Sequence, residues 1–126
     1  MGEIRSYICT NDARKAIDWY VGSMGAEVTY DPIVMDDGRI GHVELSFGGA
    51  TVMMSDAYPD LFVEAPAEGR GAAVTLYLTT DDVDTLTSRA VEGGATLDRG
   101  PESSDHGRTA VFRDPFGHRW MLGTTD

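Results

Sequence analysis

Short apolar runs punctuated by glycine dominate the chain, and two longer stretches carry apolar residues three and four apart. Residues 4–10, centred on Tyr7-Ile8-Cys9, read as a strand. Asn11 or Asp12 then caps a helix whose Ala13, Ala16, Ile17 and Tyr20 fall at core spacing, and the helix ends near Gly22 to Gly25. Strands are predicted over 26–30, 40–47 and 51–55, with Asp37-Gly38 and Gly48-Gly49 at their turns. Further along, 74–80 reads as a strand and Asp81 or Asp82 as a cap. Val83, Leu86 and Ala90 form the apolar stripe of a second helix that Gly93-Gly94 ends. Strands near 96–98, 109–113 and 119–123 complete this second set. Between the sets, residues 57–72 hold Pro59, Pro66, Gly69 and Gly71 and read as a linker or lid, with Tyr58 and Phe62 placed to close over a ligand.

The two sets match each other residue by residue. Tyr7-Ile8-Cys9-Thr10-Asn11-Asp12 lies over Tyr77-Leu78-Thr79-Thr80-Asp81-Asp82 at a shift of 70. At a shift of 69, Gly25-Ala26-Glu27-Val28 covers Gly94-Ala95-Thr96-Leu97, Gly38-Arg39 covers Gly107-Arg108, and Phe47-Gly48 covers Phe116-Gly117. One more gap sets Val52-Met53-Met54 over Trp120-Met121-Leu122. The order and near-constant offset describe a duplication. The expected fold class is therefore α+β: two tandem βαβββ modules that form an open sheet enclosing a cleft. Module one spans 1–56, the linker 57–72 and module two 73–126, all within a single domain of 1–126.

The third strand assigns faces. Val43, Leu45 and Phe47 point one way, to the helix, whereas Ile40, His42, Glu44 and Ser46 point the other. Burying such a polar face without partners is costly, so it meets solvent or lines a ligand cleft. Paired curved sheets favour the cleft.

Charge and composition narrow the partners. The 126 residues include 21 acidic and 10 basic side chains, for a formal charge of -11, and one lysine among the basic ones. Nucleic-acid binders need a basic stripe to displace counterions, and none is present, so neither nucleic acid nor an anionic membrane is an expected partner. No apolar run approaches the ~20 residues that span a bilayer. A lone cysteine, Cys9, excludes a disulfide framework and suits a reducing compartment. The opening Met1-Gly2-Glu3-Ile4-Arg5 lacks the basic-then-apolar pattern of a secretory signal, so a cytoplasmic location is expected. Phosphate-loop, Gly-x-Gly-x-x-Gly, Gly-x-Ser-x-Gly and His-Glu-x-x-His patterns are all missing.

The duplicated unit, the helix containing Ile17-Asp18-Trp19-Tyr20 and the closing Asp114-Pro115-Phe116-Gly117-His118 turn together resemble the vicinal oxygen chelate superfamily. This is the group of glyoxalases, bleomycin-resistance proteins and extradiol dioxygenases. With Gly41-His42-Val43-Glu44-Leu45 and Met53-Met54-Ser55-Asp56 the chain is most similar to the PhnB-like branch. The resemblance runs from about Ile4 to Leu122. It implies a cleft, commonly at a homodimer, that holds either a divalent metal for lyase, isomerase or dioxygenase chemistry or a drug-like ligand without metal. Aligned on the resemblance, the family's four metal-ligand positions fall on Arg5, Met53, Thr75 and Met121. A guanidinium cannot ligate a cation and thioethers are soft ligands, so no metal cofactor is expected.

His42 and Glu44, two apart on one strand and about 7 Å apart by strand rise, are the candidate acid–base pair. The 69-residue shift sets Val111 and Arg113 in their place in module two. Arg5, Tyr7, Thr75 and Tyr77 project from the first strands into the same cleft. The candidate ligand-binding set is therefore Arg5, Tyr7, His42, Glu44, Met53, Thr75, Tyr77, Arg113 and Met121. A purely structural, hydrogen-bonded His42 competes with a chemical one, and an ion pair competes with substrate contact for Glu44 and Arg113. His106 reads as a surface turn residue and His118 as a loop anchor. Three functions remain open: a metal-independent protein binding a small organic molecule, a glyoxalase-like lyase or isomerase using His42 and Glu44, and a non-catalytic drug-binding resistance protein.

Overall fold

A computed structural model describes residues 2–69 and 71–125. The first compact unit covers residues 1–66 and the second 67–126, and each holds one helix and one four-stranded sheet. In the first, β1 (Ser6–Thr10), α1 (Ala13–Met24), β2 (Glu27–Val34), β3 (Ile40–Phe47) and β4 (Ala50–Asp56) form a sheet of order β1-β4-β3-β2. The second repeats this with β5 (Thr75–Thr80), α2 (Val83–Glu92), β6 (Thr96–Ser104), β7 (Gly107–Arg113) and β8 (Arg119–Thr124), in the order β5-β8-β7-β6. Each sheet is mixed, with the outer strand of each βαβ crossover parallel to the last strand and the other pairs antiparallel. This is the expected tandem βαβββ architecture. Among the described residues, no helix is long and apolar enough to cross a membrane.

Local signals set the helices. Asp12 caps α1 by accepting from the Lys15 amide, and Asp82 caps α2 through the Thr85 amide, so the second of each alternative pair is the cap. Gly25 ends α1 at φ 73, in the left-handed region that glycine enters freely. The buried stripe of α1 is Ala13, Ala16, Tyr20 and Met24, with Ile17 only half-buried. On α2 it is Val83, Thr87 and Ala90, and the expected Leu86 is half-buried. Tyr20 packs edge-on against Phe47 with ring centroids 5.6 Å apart, tying α1 to β3. Val43, Leu45, Val52 and Met54 fill the remainder of that core; Phe112, Trp120, Leu122 and Ala110 do so in the second unit.

Two strands run longer than their sequence suggests. Expected to end at 30 and 98, β2 and β6 continue to Val34 and Ser104 through Pro32 and Pro101. Both prolines sit on edge strands, where a missing N–H costs no ladder bond, and both fall where the pairing slips. Tyr30 pairs with Glu44 and Ile33 with His42, whereas Arg99 pairs with Val111 and Glu102 with Thr109. Ile40, placed on the polar face by simple alternation, is instead buried, because the β2–β3 register shifts again between Ile33 and Val34. The segment 57–72 carries a 3-10 turn, Pro59–Leu61, and a bridge between Tyr58 and Val63.

Buried Asp114 organises the β7–β8 turn. Its Oδ1 accepts from the amides of Phe116 (2.9 Å) and His118 (3.0 Å), and its Oδ2 accepts from Trp120 Nε1 (2.9 Å). Asp56 acts likewise in the first unit, joining the Ala13 amide (2.7 Å) to the Ile40 amide (2.6 Å). Asp114→Ala strands three donors and is expected to lower unfolding stability by ~2–4 kcal/mol in urea titration, with Asp114→Asn costing less. Gly100 has φ 81, and a Cβ there would lie 2.5 Å from the Thr109 carbonyl oxygen. Gly100→Ala is expected to lower the urea midpoint by an amount matching a loss of about 2 kcal/mol or more.

Candidate functional site

Strand register assembles the site. Across the first sheet, Tyr7 pairs with Met53, Met53 with Glu44, and Glu44 with Tyr30, so one row crosses all four strands. Cross-strand partners share a face, and this is the face opposite the buried Val43, Leu45 and Phe47. His42 stands beside the row, paired with Ile33. Tyr7 and Tyr30 are about half exposed, at 51% and 50%, and their rings flank the His42 imidazole with centroids 5.4 and 5.6 Å away.

A hydrogen-bond chain runs through these side chains. The Tyr7 hydroxyl lies 2.7 Å from His42 Nδ1 and 3.3 Å from the Gly41 carbonyl, and His42 Nε2 lies 2.8 Å from Glu44 Oε2. A carboxylate only accepts, so Nε2 carries a proton; in the neutral ring Nδ1 then accepts from Tyr7. Burial, reinforced by the charge of Glu44 and by Tyr58, pushes the Tyr7 phenol above its ordinary range. Arg5 precedes β1; its guanidinium bonds Glu3 and reaches within 3.9 Å of Glu44 Oε1. His42 and Glu44, expected on one face, thus bond each other directly and answer to Tyr7.

The second sheet builds the equivalent row from Tyr77, Met121, Val111 and Arg99. The ladder corrects the assignment made by a uniform shift of 69. Glu44 and Val111 share a place in the row, Thr109 takes that of His42, and Arg113 takes that of Ser46. The β7–β8 turn, Asp114 to His118, is longer than Gly48-Gly49, so the Phe47/Phe116 match joins a strand residue to a turn residue. Tyr77 lies across Gly123, where a Cβ would overlap its hydroxyl and ring. Thr75 Oγ1 accepts from Arg119 (2.6 Å), and Arg113 donates to the Gly71 carbonyl (3.4 Å).

The family's metal does not fit these groups. Arg5 is a donor engaged with carboxylates, Thr75 Oγ1 receives a guanidinium, and Met53 and Met121 offer thioethers. Among the described residues, no group of three or more His, Cys, Asp or Glu side chains is disposed to hold a metal ion. Other candidates are placed plainly. Cys9 is buried and its thiol is pushed up, chiefly by that burial; His106 is exposed; the backbone of His118 closes the Asp114 turn. Tyr58 is pinned beneath Arg39, whose guanidinium carbon is 3.9 Å from the ring centre, whereas Phe62 is 94% exposed. An open hollow of about 360 Å³ beside Asp12, Arg14, Arg39 and Asp56 lies apart from the row, and its Asp56 oxygens are already spent on backbone amides.

A family model for the Glyoxalase/Bleomycin resistance protein/Dioxygenase superfamily matches residues 3–122. The Mycobacterium bovis protein Mb0911c is 37% identical over 121 residues, covering 93% of this chain and 79% of its own length. TnmS3, an antibiotic binding protein from Streptomyces sp. CB03234, superposes with a TM-score of 0.68 at 25% identity, covering 100% of this chain and 98% of its own. A PhnB protein from Bacillus cereus has the same fold, with a TM-score of 0.75 at 18% identity, covering 98% of this chain and 100% of its own.

The Tyr7 environment is directly measurable. Burial disfavours the phenolate, and ionising the phenol would also place a second negative charge beside Glu44, so its titration belongs above the ordinary tyrosine value of about 10. Spectrophotometric alkaline titration is expected to show a tyrosine step above that value that disappears in Tyr7→Phe. Because the folded value is the higher one, stability associated with Tyr7 is complete below the unfolded-state value. It falls as pH rises towards the folded one.

Proposed function

We propose that this chain, which belongs to the Glyoxalase/Bleomycin resistance protein/Dioxygenase superfamily, binds a small organic molecule on the open face of its first sheet without using a divalent metal. The observation that carries this reading is the pair of half-exposed phenol rings, Tyr7 and Tyr30, that flank a hydrogen-bonded His42–Glu44 pair. Aromatic walls with a few placed polar groups are the usual composition of a small-molecule site. Met53, an inner member of the row, supplies a pliable apolar floor, and its neighbour Glu44, with Arg5 3.9 Å away, supplies charge. In the second sheet Tyr77 and Met121 offer the same aromatic and thioether surface, edged by Thr75 and Arg113. TnmS3, an antibiotic binding protein, lends support from a chain of this family's fold.

Both nitrogens of His42 are occupied within the fold, which favours binding over turnover by the imidazole itself. Hits from a thermal-shift screen of planar aromatic compounds are expected to raise the melting midpoint equally with and without EDTA. Tyr7→Ala and Tyr30→Ala are each expected to weaken binding about tenfold, a loss of ~1.4 kcal/mol. Mass spectrometry should recover the ligand unaltered. A stoichiometric divalent ion whose removal abolishes binding, or a chemically changed ligand, would overturn this reading.

A further inference from the structure

We propose that Tyr7, His42 and Glu44 form a proton relay through which the first sheet binds weakly acidic phenols as their oxyanions. The inference rests on the binding reading above and names the ligand class for that face.

The argument begins with which member of the chain a ligand can reach. His42 and Glu44 side chains are only 23% and 21% exposed, and their mutual bond occupies Nε2. Tyr7 is about half exposed, so it is the member of the chain that a ligand meets first. In the resting state that hydroxyl donates to Nδ1 and leaves its oxygen lone pairs free to accept. A phenol ligand is a donor of matching chemistry.

The transfer balances without any further reactant. The ligand O–H bond breaks as a new O–H bond forms at Tyr7, and the proton Tyr7 held passes to Nδ1. His42 becomes an imidazolium held by the Glu44 carboxylate. The reprotonated Tyr7 hydroxyl turns to donate to the ligand oxyanion and accepts from Nδ1–H. Every proton has a place: Nε2–H remains on Glu44, and Nδ1–H on Tyr7.

The surrounding groups support charge separation of this sense. From β3, Glu44 faces the imidazole; from the segment before β1, Arg5 lies 3.9 Å from the other Glu44 oxygen and adds positive charge towards an anionic ligand. From β2, Tyr30 presents its ring edge-on, and after β4 the Tyr58 hydroxyl is buried near Gly41. Met53, the β4 member of the row, is uncharged. Desolvation and Glu44 disfavour a resting Tyr7 phenolate, which makes Tyr7 a conduit for the proton rather than the seat of the charge. The second module repeats Tyr77 and Met121 but sets Thr109 and Val111 in place of His42 and Glu44, so no comparable relay can form there.

The test uses 4-nitrophenol, whose phenolate absorbs in the visible, and nitrobenzene, which has the same ring and no acidic proton. On the intact wild-type chain, bound nitrophenol is expected to ionise about one pH unit lower than in free solution, a tenfold larger phenolate ratio at fixed pH. It should also bind at least about tenfold more tightly than nitrobenzene. Tyr7→Phe and His42→Gln should each abolish the ionisation shift of whatever nitrophenol they still bind, and a single cooperative urea transition for each variant reports that it is folded. The relay is overturned if bound nitrophenol ionises as it does in water, or if the shift survives in Tyr7→Phe, while nitrobenzene still binds; the binding reading then stands. Failure of both probes to bind overturns the relay and counts against the binding reading as well.

Discussion

A four-stranded sheet has two faces, and in each module a single helix covers only one of them. Everything distinctive about this chain follows from how the uncovered face is furnished. The helix-facing positions of β3, Val43, Leu45 and Phe47, are fully apolar and buried, so the hydrophobic effect fixes which way the strand turns. Once that side is fixed, period-two geometry sends His42, Glu44 and Ser46 to the other face. A polar pair such as His42–Glu44 survives there because each partner satisfies the other and Tyr7 satisfies the remaining nitrogen.

The duplication makes the chemistry of that face legible by contrast. Tyrosine and methionine recur at the same places in both sheets, whereas the imidazole–carboxylate pair stands only in the first. The two modules thus share a scaffold and an aromatic–thioether surface but differ in proton chemistry. The positions that the family resemblance assigns to metal ligands hold a guanidinium, a hydroxyl bonded to a guanidinium and two thioethers, groups poorly matched to a hard divalent cation.

Edge-strand prolines control the alignment of these rows. Pro32 and Pro101 are 69 apart in sequence, the same offset as the glycine matches, and each lies where its strand slips against its neighbour. A Gly-Pro or Asp-Pro pair reads locally as a strand end, which is why 26–30 and 96–98 are the lengths the pattern predicts. On an edge the same residues extend the strand with a bulge instead. An earlier slip between Val28 and Tyr30 brings Tyr30 opposite Glu44, and the slip at Pro32 then brings Ile33 opposite His42, completing the aromatic frame around the imidazole.

What the chain determined by itself is everything governed by short-range periodicity and capping. That covers the two βαβββ units, a helix cap at Asn11 or Asp12 and another at Asp81 or Asp82, and the apolar face of β3; the closing Asp114 turn and the ligand positions Arg5, Met53, Thr75 and Met121 were supplied by the family resemblance. The offset alone could not supply the register, because the turn before β7, 105–106, is shorter than the turn before β3, 35–39, and this sets β7 two residues off the uniform shift of 69. The uniform shift therefore sets Arg113 in the place of Glu44, whereas the ladder sets Val111 there. The tertiary structure alone decided that Tyr7, 35 residues before His42, meets its Nδ1, and that Tyr30 closes the other side. Those contacts depend on all four strands of the sheet pairing at once, a condition that no local pattern in the sequence encodes.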